Sequence, residues 1–300
     1  MQTLGPDVEE TDVSRSFLFV PADSERKLAK AKESDADALI IDLEDSVAAA
    51  ARKTARRMAR EFLADGADME LWVRVNPVAS IEARADLRQV MPAAPFGVVL
   101  PKPDGAKDAI QLARMLGVLE RQIGLCVGQT KILPIATERP AAIFHLHEYA
   151  SATSRLGGLT WGAEDLGAAV GAMASRDDKG SWLAPFELAR SLCLFAAAAA
   201  SVPAIDTVYT DYRDLDGLAR YAAGARREGF EGMLAIHPDQ VPVINDAFLP
   251  TDDEIARARR IVGLFEKNPT VGSLGIDGAM IDRPHWLQAK RILERAERLR

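Results

Sequence analysis

Two acidic residues, Glu138 and Asp165, follow two successive short apolar runs, "KILPIAT" (131–137) and "LGGLTWG" (156–162). A carboxylate aimed from the end of a buried strand is costly unless something cationic meets it. If the two runs are neighbouring strands, the two side chains reach one ion. No cysteine and no helix-paired histidine lies nearby, so the pair favours a hard cation. Mg²⁺ fits best, with Mn²⁺ as a substitute, because Mg²⁺ is usually held by one or two carboxylates, waters and substrate. The competing reading makes one of the acids a helix N-terminal residue, where carboxylates are also favoured. Glu164 points away from Asp165 if strand geometry persists, as a supporting residue or ion-pair partner.

Other candidates lie at similar places along the chain. In "IIDLEDSV", alternation sends Asp42 and Glu44 to one face, where they reach metal-bound waters or substrate, while Asp45 with Ser46 reads as a helix start. Arg74 in "WVRVNP" sits among apolar neighbours; a fork gripping a substrate carboxylate accounts for it, and so does a buried pair with Glu44. Lys102 in "LPKP" is of the same kind with weaker support, against a snorkelling surface lysine. His237 ends the last apolar run, as a ligand contact or a histidine bonded to loop backbone. Ser24, Arg26 and Lys27 follow the first run and are the candidates for cofactor phosphates, against ordinary solvated helix charges. Asp282 in "GAMIDRP" either caps the last helix, with Pro284 in its first turn, or is a lid acid whose desolvation makes it a good proton acceptor. His145 and His147 are two apart on a predicted helix and face different directions, which excludes a zinc pair. There is no Gly-x-Ser-x-Gly elbow, no phosphate-binding Gly-x-x-x-x-Gly-Lys loop and no Gly-x-Gly-x-x-Gly after the first run.

The elements that position these residues form a series. Eight short apolar runs, at 16–22, 36–45, 71–77, 97–103, 131–137, 156–162, 203–209 and 231–238, alternate with segments of helical periodicity such as "AIQLARMLGVLERQ". Near-continuous apolar strands alternating with helices imply a parallel sheet covered on both faces. The fold class is therefore α/β, a (β/α)8 TIM barrel over 15–250, with a doubly wound open sheet as the alternative. Polar residues gather where the runs end, the active face of such a barrel. Residues 1–14 read as a flexible arm. Residues 251–300 read as a helix opened by Thr-Asp-Asp, a glycine-rich bend and an amphipathic helix, a C-terminal extension serving as a lid or an inter-subunit arm. The alanine run at 196–200 lets its helix sit close to the barrel.

Composition narrows the function classes. A net charge of -7 repels a polyphosphate backbone, which argues against nucleic acid. No run approaches the roughly 20 apolar residues of a spanning helix, and the acidic start lacks the apolar core of a signal peptide. The expectation is a soluble cytoplasmic protein without a membrane partner. Cys126 and Cys193, both in apolar runs, read as buried free thiols.

These motifs together resemble the citrate lyase β-subunit-like branch of the HpcH/HpaI aldolase family. The resemblance rests on "RSFLFVPAD", "ADALIIDLEDSVA", "WVRVNP", "ILPIATE", "LTWGAEDLGAAVGA", "PAIDTVYTDYRDLDGL", "GFEGMLAIHPDQVPVIN" and "GAMIDRP", in family order over nearly the whole chain. It implies a trimeric or hexameric barrel that binds Mg²⁺ and makes or breaks a carbon–carbon bond between a 2-oxo acid and an acyl-CoA thioester, of the malyl-CoA, citramalyl-CoA or citryl-CoA type. Carried over by motif, Glu138 and Asp165 are the metal ligands, Arg74 holds the acid's carboxylate, and Asp282 of a neighbouring subunit is the acid/base. A thioesterase, a thioester-independent pyruvate aldolase and a non-catalytic thioester-binding subunit are the alternatives. Two positions depart from the family: Arg139 where Thr is common, and Met233 where Lys is common.

Overall fold

A computed structural model of the chain describes residues 14–276 and 278–298; the expected N-terminal arm lies, apart from Ser14, outside the described residues. Eight strands form one sheet: β1 (Ser16–Pro21), β2 (Ala38–Asp42), β3 (Glu70–Arg74), β4 (Gly97–Leu100), β5 (Lys131–Pro134), β6 (Leu159–Thr160), β7 (Ala204–Asp206) and β8 (Gly232–Ala235). Their order is β5-β4-β3-β2-β1-β8-β7-β6, and every pairing is parallel. Bridges Ile132–Leu156 and Ile135–Thr160 join β5 to β6, and the Ala136 N–H donates to the Thr160 carbonyl at 2.7 Å. The sheet thus closes on itself as a (β/α)8 barrel, and the open-sheet alternative falls. Each strand lies within its expected run except β3, which starts one residue earlier at Glu70, and β6 has only two residues, with Gly157 and Gly158 before it and Gly162 after it. Glycine weakens a strand because it brings no side chain to pack and loses most backbone freedom.

Inward-facing side chains fill the barrel with Phe17, Ala38, Ile40, Trp72, Val99, Leu133, Ile135, Ile205 and Leu234. Trp72 is the largest of them, and two glycines make room for it. A Cβ at Gly97 would lie 2.2 Å from the Trp72 ring, and one at Gly157 would lie 2.8 Å from it. The indole N–H is satisfied by Glu70 Oε2 at 2.8 Å, so the ring brings no unpaired donor into the core. A buried ion pair stands outside the barrel interior: Arg155 grips Glu120 through two nitrogens, at 2.8 and 2.6 Å. Burial alone would raise the Glu120 carboxyl, but Arg155 and the N–H groups of Gly128 and Thr130 hold it down at about 2.

From Phe248 onward the chain forms a second compact unit. Its first helix, Asp252–Lys267, is opened by Thr251 and Glu254 in a reciprocal capping box. The expected glycine-rich bend is instead an antiparallel hairpin, β9 (Ser273–Ile276) with β10 (Ala279–Asp282), and Gly278 takes the left-handed conformation at φ +80°. The helix Arg283–Arg298 follows directly, and Ala258, Ile261, Ile276, Ile281 and Ala289 form the core of this unit.

The two cysteines separate. Cys193 is buried as expected, but Cys126 is exposed. The helix Ala106–Ile123 ends at Gly124, and Cys126 falls in the turn before β5, where Gly124 and Gly128 both have positive φ. The apolar "GLCVG" is therefore turn chemistry rather than core. Among the described residues no helix is long and apolar enough to cross a membrane.

Candidate active site

The carboxyl ends of the strands surround a cavity of about 300 Å³. Phe19, Asp42 and Arg74 enter it from β1, β2 and β3, and Glu138, Asp165 and Val208 from the segments after β5, β6 and β7. Barrel closure thus brings together residues spread over more than half the sequence.

Arg74 is the organising cation. The β2–β3 register sets Asp42 beside Arg74, and the guanidinium donates from Nε and Nη2 to the two Asp42 oxygens, each at 2.7 Å. The Glu44 and Ser46 N–H groups complete the Asp42 carboxylate at 3.0 and 3.2 Å. Burial pushes the Asp42 carboxyl up, but the Arg74 fork more than offsets it and leaves it below the usual range. The partner weighed from sequence, Glu44, is the looser one, with Oε2 3.3 Å from Nη1. Phe19 lies under the guanidinium, 4.8 Å from ring centre to Cζ. These carboxylates hold Arg74 charged, well above the ordinary arginine value despite its burial.

Lys102, the weaker candidate from sequence, points into this cluster and not out to solvent. Its Nζ lies 2.5 Å from Glu44 Oε1, 2.6 Å from Asp45 Oδ2 and 3.5 Å from Asp165 Oδ1. Its backbone is left-handed, at φ +48°, and its N–H donates to Glu138 Oε2 at 2.5 Å. No helix starts at Asp45 and Ser46 as expected; the next helical turn begins at Ala49. Burial raises the Glu44 carboxyl against the pull of Arg74 and Lys102; burial also acts to raise Asp45, but its hydrogen bonds to Lys102 and Glu44 outweigh it and hold it low.

Glu138 is buried, four residues beyond β5. Asp165 does not end the sixth strand. β6 stops at Thr160, and Glu164 and Asp165 both occupy the first turn of the helix Ala163–Val170, as the competing reading had it. Both line the cavity, so Glu164 is not turned away from it. Gly162 lets Glu138 approach, since a Cβ there would lie 2.6 Å from Glu138 Cγ. Burial lifts the Glu138 carboxyl to about 8; the Lys102 N–H opposes the shift and the charge of Asp165 adds to it. A carboxyl raised by burial and by a second carboxylate in the same cavity suits a divalent cation. No group of three or more His, Cys, Asp or Glu among the described residues could cage an ion. The donor set therefore fits a hard ion that takes its other ligands from water and substrate.

The remaining candidates on the barrel, Ser24, Arg26, Lys27 and His237, do not line the cavity. Ser24 caps the helix Glu25–Lys32, accepting from the Lys27 N–H at 3.4 Å, and Arg26 and Lys27 are exposed on its first turn. His237 stacks on Tyr212, with centroids 4.9 Å apart, and its Nδ1 accepts from the Asp239 N–H at 3.2 Å. His145 pairs with Glu148 at 2.8 Å. Asp282 ends β10 in the C-terminal unit, where Oδ1 lies 2.5 Å from His285 Nδ1. Of the two departures, Arg139 pairs with Asp104 at 2.9 Å, and Met233 is fully buried opposite Ser16. Sequence reasoning passed over Trp161 and Asp206: the buried Trp161 lines the cavity, and its indole donates to Asp206 at 2.7 Å. The alternation of "PAIDTVY" places an acid in an otherwise apolar strand, which was the available signal.

Comparison with known proteins identifies the family and the fold. The family model HpcH/HpaI aldolase/citrate lyase matches residues 15–238. The citrate lyase subunit beta of Escherichia coli K12 is 35% identical over 292 residues, covering 96% of this chain and 95% of that protein. The mitochondrial citramalyl-CoA lyase of Rattus norvegicus is 29% identical over 293 residues, covering 93% and 85%. A crystal structure of the CitE protein from Mycobacterium tuberculosis, in complex with magnesium, acetoacetate and coenzyme A, superposes with a TM-score of 0.80 at 32% identity over 95% of this chain and 98% of that one. The chain belongs to the HpcH/HpaI aldolase/citrate lyase family and is an enzyme of its lyase class.

Proposed function

We propose that the protein is a Mg²⁺-dependent lyase that cleaves, or in reverse forms, the carbon–carbon bond of a 3-hydroxy-3-carboxyacyl-CoA thioester, giving a 2-oxo acid and an acyl-CoA. One observation carries the reading: a buried, doubly anchored arginine shares one cavity with Glu138 and Asp165, and burial together with the Asp165 charge raises the Glu138 carboxyl. Glu138 and Asp165 would hold the ion, which supplies Lewis-acid stabilisation of the oxygen that gains charge as the bond breaks. Mn²⁺ would substitute. Arg74 binds the carboxylate of the oxo acid through the edge that Asp42 leaves free, and Asp42 fixes the plane of that fork. Phe19, Ile135 and Leu234 wall the cavity with apolar surface and exclude water, which strengthens each of these charge interactions.

In the cleavage direction the substrate hydroxyl loses its proton, and the carbon–carbon electron pair stays on the thioester side as an enolate. One proton added to that carbon completes the acyl-CoA, so the step needs no oxidant or reductant. Asp282 exchanges that proton, supplied by a second copy of the chain in a homotrimer or hexamer. Ser24, Arg26, Lys27 and His237 remain the candidates for the CoA end of the substrate. None of these four lines the cavity.

The test is an assay with malyl-CoA, citramalyl-CoA and citryl-CoA, with and without Mg²⁺, following oxo-acid and thioester products separately. A lyase releases oxo acid and acyl-CoA together. Free CoA without oxo acid identifies a thioesterase, cleavage of thioester-free hydroxy acids a pyruvate aldolase, and binding without turnover a non-catalytic subunit. Asp282→Asn is expected to lower turnover by a factor of about 100 or more while Mg²⁺ binding persists; loss of both together counts against the role given to Asp282.

A further inference from the structure

Lys102 is a cation of the cluster that the proposed chemistry does not require, yet its backbone and its ammonium are both held in place. A non-glycine residue at φ +48° persists only where its surroundings determine it. Here that conformation does two things at once. It presents the backbone N–H to Glu138 and swings the ammonium onto Glu44, which lies 2.5 Å away through Oε1. The other Glu44 oxygen is 3.3 Å from Arg74 Nη1, the nitrogen that Asp42 does not use. Glu44 is therefore shared between two cations, with the closer contact to Lys102.

We propose that Lys102 is a positioning residue that takes the closer contact with Glu44 and so leaves it only loosely paired, at 3.3 Å, with the Nη1 edge of Arg74, where the carboxylate of a 2-oxo acid can displace it. Glu44 is 5% exposed. A buried carboxylate that loses one partner closes on the nearest remaining cation, which is Arg74 Nη1. Without the ammonium, Glu44 occupies the place that the oxo acid needs. The inference rests on the carboxylate-binding role proposed for Arg74.

Lys102→Gly isolates the ammonium, because glycine adopts the left-handed conformation freely and keeps the N–H bond to Glu138. Pyruvate binding to the Mg²⁺-loaded protein, followed by titration calorimetry, is expected to weaken about tenfold or more. Mg²⁺ affinity measured without pyruvate is expected to change less than pyruvate affinity does. Glu44→Gln in the same chain removes the competing charge and is expected to bring pyruvate affinity back to within about threefold of the parent. Lys102→Met serves as the second variant if the glycine variant does not fold. Parent-like pyruvate binding by the single variant, or a double variant no better than the single, overturns the proposal. Arg74→Met separates the two readings: parent-like binding there sinks the Arg74 role itself, while weakened binding beside an unaffected Lys102 variant sinks only the inference about Lys102.

Discussion

Gly162 carries more of the site than its missing side chain suggests. Its φ of -119° is open to any residue, so the constraint is steric rather than torsional. A Cβ there would meet Glu138 Cγ at 2.6 Å and Ile135 Cγ2 at 3.2 Å, and the Gly162 N–H donates to Thr137 Oγ1 at 3.1 Å. Gly162→Ala must displace the Glu138 carboxylate while leaving the core largely as it is. Mg²⁺ affinity is expected to fall by about 10- to 100-fold, the scale of a disturbed metal-ligand support, with a small change in melting temperature. A variant that binds Mg²⁺ like the parent would show that Glu138 is not a ligand, or that it adapts without cost.

At the scale of elements, the barrel tolerates its large tryptophan only because neighbouring strands supply glycine. Trp72 on β3 lies against Gly97, the first residue of β4, and against Gly157, just before β6. The two contacts come from different strands, so the ring sets the spacing of β3, β4 and β6 at once. Gly97→Ala places a methyl group 2.2 Å from a ring that has nowhere to go, and overpacking of this kind costs about 1–3 kcal/mol. Urea unfolding should show a lower midpoint, and adding Trp72→Leu should recover part of the loss. No recovery would mean that the glycine answers to backbone and not to the ring. The brevity of β6 has its own consequence for function. Because the strand stops at Thr160, Asp165 is carried on a helix turn, where the helix N-terminus also favours its negative charge.

For the whole molecule, the clearest expectation concerns pH. Glu138 titrates near 8 in the metal-free protein, chiefly through burial, against an ordinary value of 4.5. A raised folded value means that the native state binds more protons between those two limits. Its contribution is complete below about 4.5 and is lost as pH rises through about 8. Glu120 works in the opposite sense, contributing above the ordinary carboxylate range and losing its effect only as pH falls through about 2. The metal-free melting temperature is therefore expected to decline, on the order of a few degrees, between pH 5 and 8. Mg²⁺ should remove that decline and release a proton on binding below pH 8, measurable by calorimetry in buffers of different ionisation enthalpy. A flat metal-free profile would show that Glu138 is already ionised. The same scale separates what the chain states locally from what its fold decides. Periodicity and turn residues belong to a short stretch of chain, so the eight runs, their alternation with helices, the polar strand ends and the capped C-terminal helix could all be read from the residue order. Partnership belongs to the register between strands. That β2 and β3 align Asp42 with Arg74, and that β2 ends before Glu44, made Asp42 the closer buried partner of Arg74, beside the Glu44 pair that the sequence had offered as one alternative. Cys126 turned outward for a local reason, the glycine turn in which it lies, whereas Lys102 turned inward because burial of a side chain depends on which distant segments close over it, and no window of sequence contains them.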